Sequence, residues 1–203
     1  MKIYRTPRLF VKLFPSITWS FFSKQPTIYL TFDDGPTAEL TEAILDILDT
    51  YEAKATFFCV GENAVRFPEL MTSIQEKGHA IGNHTMRHLN GLRESTEKYI
   101  NDVNEANAIL NTKLFRPPYG KMKRTQYNQL KKHYQIIMWS FLTYDFNPDI
   151  NMVDVFQKYT SQFRSGDIIV LHDNLKSKEK ITTLLPMILD WGTKKGIVFS
   201  AIQ

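Results

Sequence analysis

The amino-acid sequence predicts an α/β protein whose parallel sheet is either open or closed into a β/α barrel. Short runs rich in β-branched and aromatic residues alternate along the chain with longer segments of helical pattern. Such alternation favours parallel pairing of the strands through right-handed crossovers. The 203 residues contain no internal repeat and no linker rich in glycine, serine or proline, so we expect one domain.

Seven strands and six helices are predicted. The strands span residues 27–32, 54–60, 79–82, 113–116, 135–141, 167–171 and 197–201. The helices span residues 38–51, 66–77, 93–111, 123–133, 151–163 and 178–194. The first helix shows its period most clearly, because Leu40, Ile44 and Leu48 fall on one face. Residues 1–26 are interpreted as an arm that packs on a domain spanning 27–203.

The composition is typical of a soluble globular protein, with 43% hydrophobic and 23% charged residues. The net charge of +4 is too small, and the basic residues are too scattered, to indicate a nucleic-acid partner. Cys59 is the single cysteine, which excludes an internal disulfide, and its apolar neighbours predict a buried thiol. His79, at the start of a predicted strand, is interpreted as structural.

The N-terminal segment is basic and partly apolar. Lys12 and Pro15 interrupt its apolar run and no small-residue cleavage site follows, so we predict neither a cleaved signal peptide nor a transmembrane span. The default expectation is a cytoplasmic or membrane-peripheral location, with association with the cell envelope left open. Contact of the arm with a membrane and the oligomeric state also stay open in the sequence.

Polar residues follow five of the predicted strands, at the ends where parallel α/β folds gather their reactive groups. They are Asp33 and Asp34, His84 and His88, Arg116 and Tyr119, Tyr144 and Asp145, and His172 and Asp173. Each group taken alone has a plain structural alternative. Asp33-Asp34-Gly35-Pro36, for example, is good turn chemistry and could simply cap the next helix.

The histidine pair is the hardest of these groups to explain structurally. His84 and His88 are four residues apart, and on a helical turn both imidazoles would point the same way, as a transition metal requires. Two histidines with one carboxylate and open positions describe a catalytic rather than a structural metal site. Either Asp33 or Asp34 could supply that carboxylate.

Five short motifs occur in order along the chain. They are TFDDGP at 31–36, HTMRH at 84–88, RPPYG at 116–120, YDF at 144–146 and LHD at 171–173. They match in order the five motifs of the polysaccharide deacetylase family, so from Thr27 to near its C-terminus the chain resembles this family, also called carbohydrate esterase family 4 or the NodB-homology domain. The resemblance implies a distorted (β/α)7 barrel, in agreement with the seven predicted strands.

The resemblance also implies an activity and a cofactor. The activity is hydrolysis of acetyl groups from N-acetylated sugars of a polysaccharide, such as peptidoglycan or a chitin-like oligomer of N-acetylglucosamine. The cofactor is one divalent metal ion, held by Asp34, His84 and His88. Zinc is the default ion for this ligand set, with cobalt, nickel and manganese left open because geometry and availability decide.

Catalytic roles follow from the same resemblance. A metal-activated water attacks the amide carbonyl, with Asp33 as the general base and His172 as the general acid for the leaving nitrogen. Asp145 pairs with His172 and favours its imidazolium form, whereas Arg116 positions the base.

The resemblance assigns the substrate contacts as well. The backbone N–H of Tyr119 would stabilise the oxyanion, and Leu171 with Phe146 would form the apolar wall for the acetyl methyl group. Two residues depart from the family pattern. Phe146 stands where the family often has tryptophan, and Leu142 stands where another aspartate is common. The first change leaves the identity of the substrate open.

Two other functions remain open in the sequence. The same groups could hydrolyse an acetyl ester, which would make the chain an O-acetyl polysaccharide esterase. A non-catalytic carbohydrate-binding homologue is the second alternative. Such a binder needs no proton-transfer groups, so the presence of Asp33 and His172 argues against it.

Overall fold

A sheet of eight parallel strands forms the centre of the computed structural model, which describes residues 2–203. The strands are β1 (Thr27–Asp33), β2 (Ala55–Cys59), β3 (Ala80–Asn83), β4 (Leu114–Phe115), β5 (Gln135–Ile136), β6 (Phe141–Leu142), β7 (Ile168–His172) and β8 (Val198–Phe199). Neighbours follow the order β5-β4-β3-β2-β1-β7-β6, and β8 pairs with the start of β1. The sheet curls into a distorted half-barrel, which confirms the predicted fold class.

Helices pack around this sheet. Those in the described residues are α1 (Arg8–Leu13), α2 (Leu40–Thr50), α3 (Gly61–Arg66), α4 (Pro68–Glu76), α5 (Thr96–Leu110), α6 (Arg124–Leu130), α7 (Met152–Tyr159) and α8 (Lys178–Lys194). Short 3-10 turns follow at Pro118–Gly120, Thr160–Gln162 and Leu175–Ser177. Within residues 2–203, no helix combines the length and the apolar character that crossing a membrane requires.

The helix predicted at 66–77 corresponds to α4, and the sequence did not predict α3, which precedes it and ends at Arg66. Phe67 separates them with an extended φ of −130°, and Pro68 occupies the first turn of α4. Proline disfavours the helical conformation in the residue before it and is well tolerated at the first position of a new helix. Pro68 therefore marks a boundary that the apolar period alone did not show.

The strand predicted at 135–141 is divided into β5 and β6, which lie at opposite edges of the sheet. The carbonyl oxygens of Ile137 and Met138, between the two, accept hydrogen bonds from the Arg116 guanidinium at 3.2 and 3.1 Å. Thr18 forms a bridge with Ile137 on the other side. The intervening backbone thus bonds to a side chain and to the arm instead of continuing one strand, and this accounts for the eighth strand.

The N-terminal arm contacts the domain at its two ends. Near its start, Arg5 forms an ion pair of 2.6 Å with Asp167. Near its end, Trp19 is buried, and Thr18 and Ser20 form bridges with the domain. Between these ends, residues 7–16, which include α1, are exposed.

His79 is buried beside β2, and it lies on no wall of the groove described below. Its Nδ1 accepts a hydrogen bond of 3.1 Å from the backbone N–H of Ala55, and its ring packs edge-on against Phe57. Within residues 2–203 its Nε2 has no hydrogen-bond partner. Burial lowers the pKa of His79 to about 4, so the folded protein holds this ring neutral.

This histidine makes folding sensitive to mild acid. Between pH 6.5, its ordinary pKa, and about pH 4, His79 is protonated in the unfolded chain but stays neutral in the folded chain. We expect the free energy of unfolding to fall through that window, by about 2 kcal/mol more in the natural chain than in His79→Phe. Urea unfolding at a series of pH values measures the difference. His133→Gln, at an exposed position, is the control, and parallel curves for the natural chain and His79→Phe would refute the expectation.

Candidate functional site

A groove of about 950 Å³ opens at the C-terminal ends of the central strands. Its walls include seven of the predicted site residues, namely Asp33, Asp34, His84, His88, Tyr119, Phe146 and His172. Arg116 and Asp145 are fully buried next to the groove. The parallel sheet therefore brings loops that are distant in sequence to one edge, as this architecture does generally.

Asp34, His84 and His88 form a compact cluster on the groove wall. One ligand atom from each residue lies within 4.8 Å of the others. The Nε2 atoms of His88 and His84 lie 3.0 and 3.6 Å from Asp34 Oδ1. Two imidazoles and a carboxylate converging in this way match the donor set of a divalent transition metal.

The backbone that carries the two histidines is a loop, so the predicted helical turn was wrong. Thr85 and His88 have φ values of 68° and 53°, in the left-handed region. Asn83 stabilises this loop, because its Oδ1 accepts a hydrogen bond of 2.8 Å from the Thr85 N–H. The loop still brings the rings of His84 and His88 to a centroid distance of 5.1 Å.

His84 is oriented and kept neutral by its surroundings. Its Nδ1–H donates a hydrogen bond of 2.8 Å to the carbonyl oxygen of Arg116, which leaves Nε2 free for a ligand bond. Burial lowers the pKa of His84 to about 4. A neutral ring with a fixed tautomer is the form that binds metals, so the cluster fits a divalent ion.

Asp34 is held in place by two asparagines. Asn174 Nδ2 donates to Asp34 Oδ2 at 2.7 Å, and Asn63 Nδ2 donates to the Asp34 carbonyl oxygen at 2.8 Å. Burial alone would raise the pKa of Asp34, but the hydrogen bond from His88 and the positive charge of His172 outweigh it and lower the pKa. Asp34 is therefore ionised, which is the form of a carboxylate that binds cations.

Asp33 has a different environment from its neighbour Asp34. Arg116 Nη1 donates to Asp33 Oδ1 at 2.6 Å and to Thr31 Oγ1 at 2.7 Å. The guanidinium stacks on Phe58, with its central carbon 4.1 Å from the ring centroid. These contacts fix the Asp33 carboxylate at the groove wall, beside the cluster but bonded to a different partner.

His172 lies across the groove at the end of β7 and is paired with Asp145. Its Nδ1–H donates to Asp145 Oδ1 at 2.8 Å, and its backbone N–H donates to Asp145 Oδ2 at 2.7 Å. Thr143 Oγ1 also donates to Asp145 Oδ1, at 2.8 Å. Burial would lower the pKa of His172, but the Asp145 carboxylate outweighs it and raises the pKa to about 9. The ring is therefore protonated near neutral pH.

Two aromatic residues shape the mouth of the groove. Phe146 packs edge-on against His172 with a centroid distance of 4.8 Å. Tyr119 is 59% exposed and its ring lies 4.7 Å from that of His88. The backbone of Tyr119 has a φ of 60°, and within residues 2–203 its N–H donates no hydrogen bond.

Comparison with known proteins places this arrangement in a family. The sequence profile described as polysaccharide deacetylase matches residues 23–135. The chain is 33% identical over 196 residues to a peptidoglycan-N-acetylglucosamine deacetylase of Bacillus cereus, covering 92% of this chain and 91% of that protein. This chain belongs to the polysaccharide deacetylase family. The resemblance seen in the five motifs is thereby confirmed.

Further members of the family agree in sequence and in structure. The chain is 32% identical to a chitooligosaccharide deacetylase of Azorhizobium caulinodans, over 76% of this chain and 77% of that protein. The crystal structure of a peptidoglycan N-acetylglucosamine deacetylase bound to 4-naphthalen-1-yl-N-oxidanyl-benzamide superposes with a TM-score of 0.88 at 30% identity, over 97% of this chain and 95% of that one. The superposition confirms the distorted (β/α)7 barrel, and all three relatives are deacetylases.

One predicted contact differs from the structure. Leu171 is fully buried in the main core and is not among the groove-lining residues. Successive side chains of a strand point to opposite faces, so Val170 and His172 face the groove while Leu171 faces the helices. The apolar wall beside His172 is formed by Val170, Leu142 and Phe146.

Sequence reasoning missed two supports of the site. Asn174 carried no signal beyond its position two residues after His172, yet it holds Asp34. Asp173 was among the polar residues at the strand ends, but the sequence did not show what it contacts, and its N–H donates to the Asp33 carbonyl at 2.7 Å. Its carboxylate accepts from Thr41 Oγ1 at 2.6 Å, and burial raises its pKa to about 7.

The pairing of His172 with Asp145 predicts a titration. In the metal-free protein we expect His172 to titrate near pH 9. In Asp145→Asn the pKa should fall by about 2 units, because the amide keeps a polar contact but removes the negative charge. NMR titration of the imidazole resonances measures both values. An unchanged pKa in the variant would contradict the assigned cause.

Proposed function

We propose that this chain is a metal-dependent deacetylase that removes acetyl groups from N-acetylated sugars of a polysaccharide, peptidoglycan or a chitin-like oligomer. One observation carries the proposal. The adjacent carboxylates Asp33 and Asp34 have separate partners. Asp34 clusters with two histidines, whereas Asp33 forms an ion pair with a buried arginine. A binding protein has no need of this division, whereas amide hydrolysis needs both an electrophilic centre and a base.

Asp34, His84 and His88 would hold the divalent ion. When bound there, such an ion supplies Lewis-acid polarisation of the carbonyl and acidifies water. Zinc remains the default, with cobalt, nickel and manganese as alternatives, because two imidazoles and a carboxylate accept all four.

Asp33 would act as the general base. Its Oδ1 is bonded to Arg116, so Oδ2 is the atom free to take the proton of the attacking water. Arg116 is a positioning residue in this scheme, because it contacts the base and is itself fully buried and does not line the groove. The water oxygen forms the new bond to the acetyl carbon.

His172 would act as the general acid. Its Nδ1–H is committed to Asp145, so Nε2 carries the proton delivered to the leaving nitrogen. With a pKa of about 9, the ring holds that proton at neutral pH. The carbon–nitrogen bond then breaks and yields acetate and a free amine on the sugar.

The remaining roles belong to the groove wall. The N–H of Tyr119 would donate to the acetyl oxygen as negative charge develops on it. Val170, Leu142 and Phe146 would receive the methyl group in place of the predicted Leu171. Phe146, where the family often has tryptophan, leaves this wall smaller and without an indole N–H.

Replacing the base separates its role from that of the metal ligand. In Asp33→Asn we expect kcat to fall by about 10²–10⁴-fold, since general-base catalysis contributes that much, while the metal content of the purified protein stays unchanged. Acetate release gives the rate, and elemental analysis gives the metal. Asp149→Asn, at an exposed position outside the groove, is the matched control. Loss of metal together with activity would contradict the division between Asp33 and Asp34.

A substrate panel distinguishes the proposed activity from its alternatives. Metal-loaded protein is incubated with N-acetylglucosamine oligomers, peptidoglycan and acetylated xylan, and both acetate and new primary amine are measured. We expect equal amounts of acetate and amine from an N-acetylated substrate. Acetate without amine would identify an O-acetyl esterase. Absence of acetate from every substrate would favour a carbohydrate-binding protein.

A further inference from the structure

The most exposed apolar surface of the described chain lies on the N-terminal arm. Seven of the fifteen exposed large hydrophobic side chains of residues 2–203 fall between positions 3 and 22. They are Ile3, Leu9, Phe10, Val11, Leu13, Phe14 and Phe22. Five of them belong to residues 7–16, here called the arm tip, in which every residue is exposed.

The arm tip adds little to the packing of the domain. No residue of α1 is buried, although four of its six residues are apolar. The contacts of the arm lie on either side of the tip, at Arg5 with Asp167 and at the buried Trp19. The tip is thus a projecting segment anchored at both ends, and contacts within the chain do not explain its apolar side chains.

The charge of the arm has one sign. Residues 1–26 contain five basic residues and no aspartate or glutamate, whereas the rest of the chain has 20 basic and 21 acidic residues. The whole net positive charge of the protein therefore lies on the arm. Within residues 2–203, the basic side chains outside any ion pair include Arg8 and Lys12 of α1 and the flanking Lys2 and Lys24.

We propose that the arm tip inserts into the interface of an anionic phospholipid bilayer and holds the domain at the membrane surface. Apolar side chains flanked by lysine and arginine are the combination that binds such an interface, through apolar burial together with attraction to anionic headgroups. The protein then lies on the bilayer, in keeping with the lack of a spanning helix in the described residues.

The charge of the arm favours a lipid surface over a second copy of the chain as the partner of the arm tip. Pairing two arms would bring four basic residues outside ion pairs against the same four, with no acidic residue on either arm to neutralise them. An anionic lipid surface supplies the opposite charge and an apolar layer at the same time. The anionic lipid surface is therefore the partner that matches both the apolar side chains and the positive charge of the arm tip.

Vesicle binding tests the proposal with the full chain. Co-sedimentation is measured with vesicles of phosphatidylcholine alone and of phosphatidylcholine mixed with phosphatidylglycerol. We expect binding to the mixed vesicles, weaker binding to the neutral ones, and weakening by salt. No binding to the mixed vesicles would overturn the proposal, and so would equal binding to both kinds.

Paired variants separate the arm tip from the rest of the surface. Leu9→Ser with Leu13→Ser should weaken binding to mixed vesicles at least about tenfold, because both side chains lose their apolar burial. Val65→Ser with Leu92→Ser removes two side chains of similar exposure elsewhere and should leave binding unchanged. Equal loss in both pairs would overturn the assignment to the arm tip.

Charge variants and the oligomeric state complete the test. Arg8→Gln with Lys12→Gln should weaken binding about fivefold per charge, and Lys132→Gln with Lys195→Gln, at exposed positions, should have a smaller effect.

The oligomeric state is measured by light scattering. The natural chain and the variant Leu9→Ser with Leu13→Ser should have the same oligomeric state. An arm-dependent dimer without lipid binding would overturn the proposal in favour of a second copy. The thermal midpoints of all variants should match, since every substituted residue is exposed.

Discussion

The Arg116 guanidinium is the group on which the geometry of the site depends. It is fully buried, and a buried cation without partners would destabilise the fold by several kcal/mol. Its bonds reach Asp33 and Thr31 on β1 and the carbonyl oxygens of the segment between β5 and β6. One side chain therefore ties the first strand to the most irregular part of the barrel. The carboxylate that satisfies this cation is the one proposed as the base, so stability and function share a contact.

The loop after β1 gives two identical side chains different chemistry. Asp33 still belongs to the strand and stays next to Arg116, whereas Asp34 has a φ of 79° and turns towards His84 and His88. Asp173 packs against this loop. Its backbone N–H donates to the Asp33 carbonyl oxygen, and its carboxylate leaves no space for a side chain at Gly35. A loop with this backbone keeps two adjacent carboxylates apart by giving each its own partner, Arg116 for Asp33 and the two histidines for Asp34.

The arm combines two roles in one short segment. Its ends supply bonds that the curled sheet lacks, since Thr18 bridges Ile137 and Arg5 pairs with Asp167. Its tip presents apolar and basic side chains outwards. Because the residues that anchor the arm to the domain differ from those that are exposed at its tip, the tip can present such a surface without destabilising the domain.

The sequence by itself determined the α/β class, the order of the motifs and the residue types that gather at the strand ends, because period and chemical type are local properties. It could not assign the strand break after Ile136, the loop that carries the histidines, or the burial of Leu171. Each of these depends on a remote partner or on backbone direction, as with Arg116, which lies 83 residues from Asp33 and yet bonds to it. Tertiary structure decided which aspartate meets the arginine and which meets the histidines, since only folding brings their loops to one edge of the sheet.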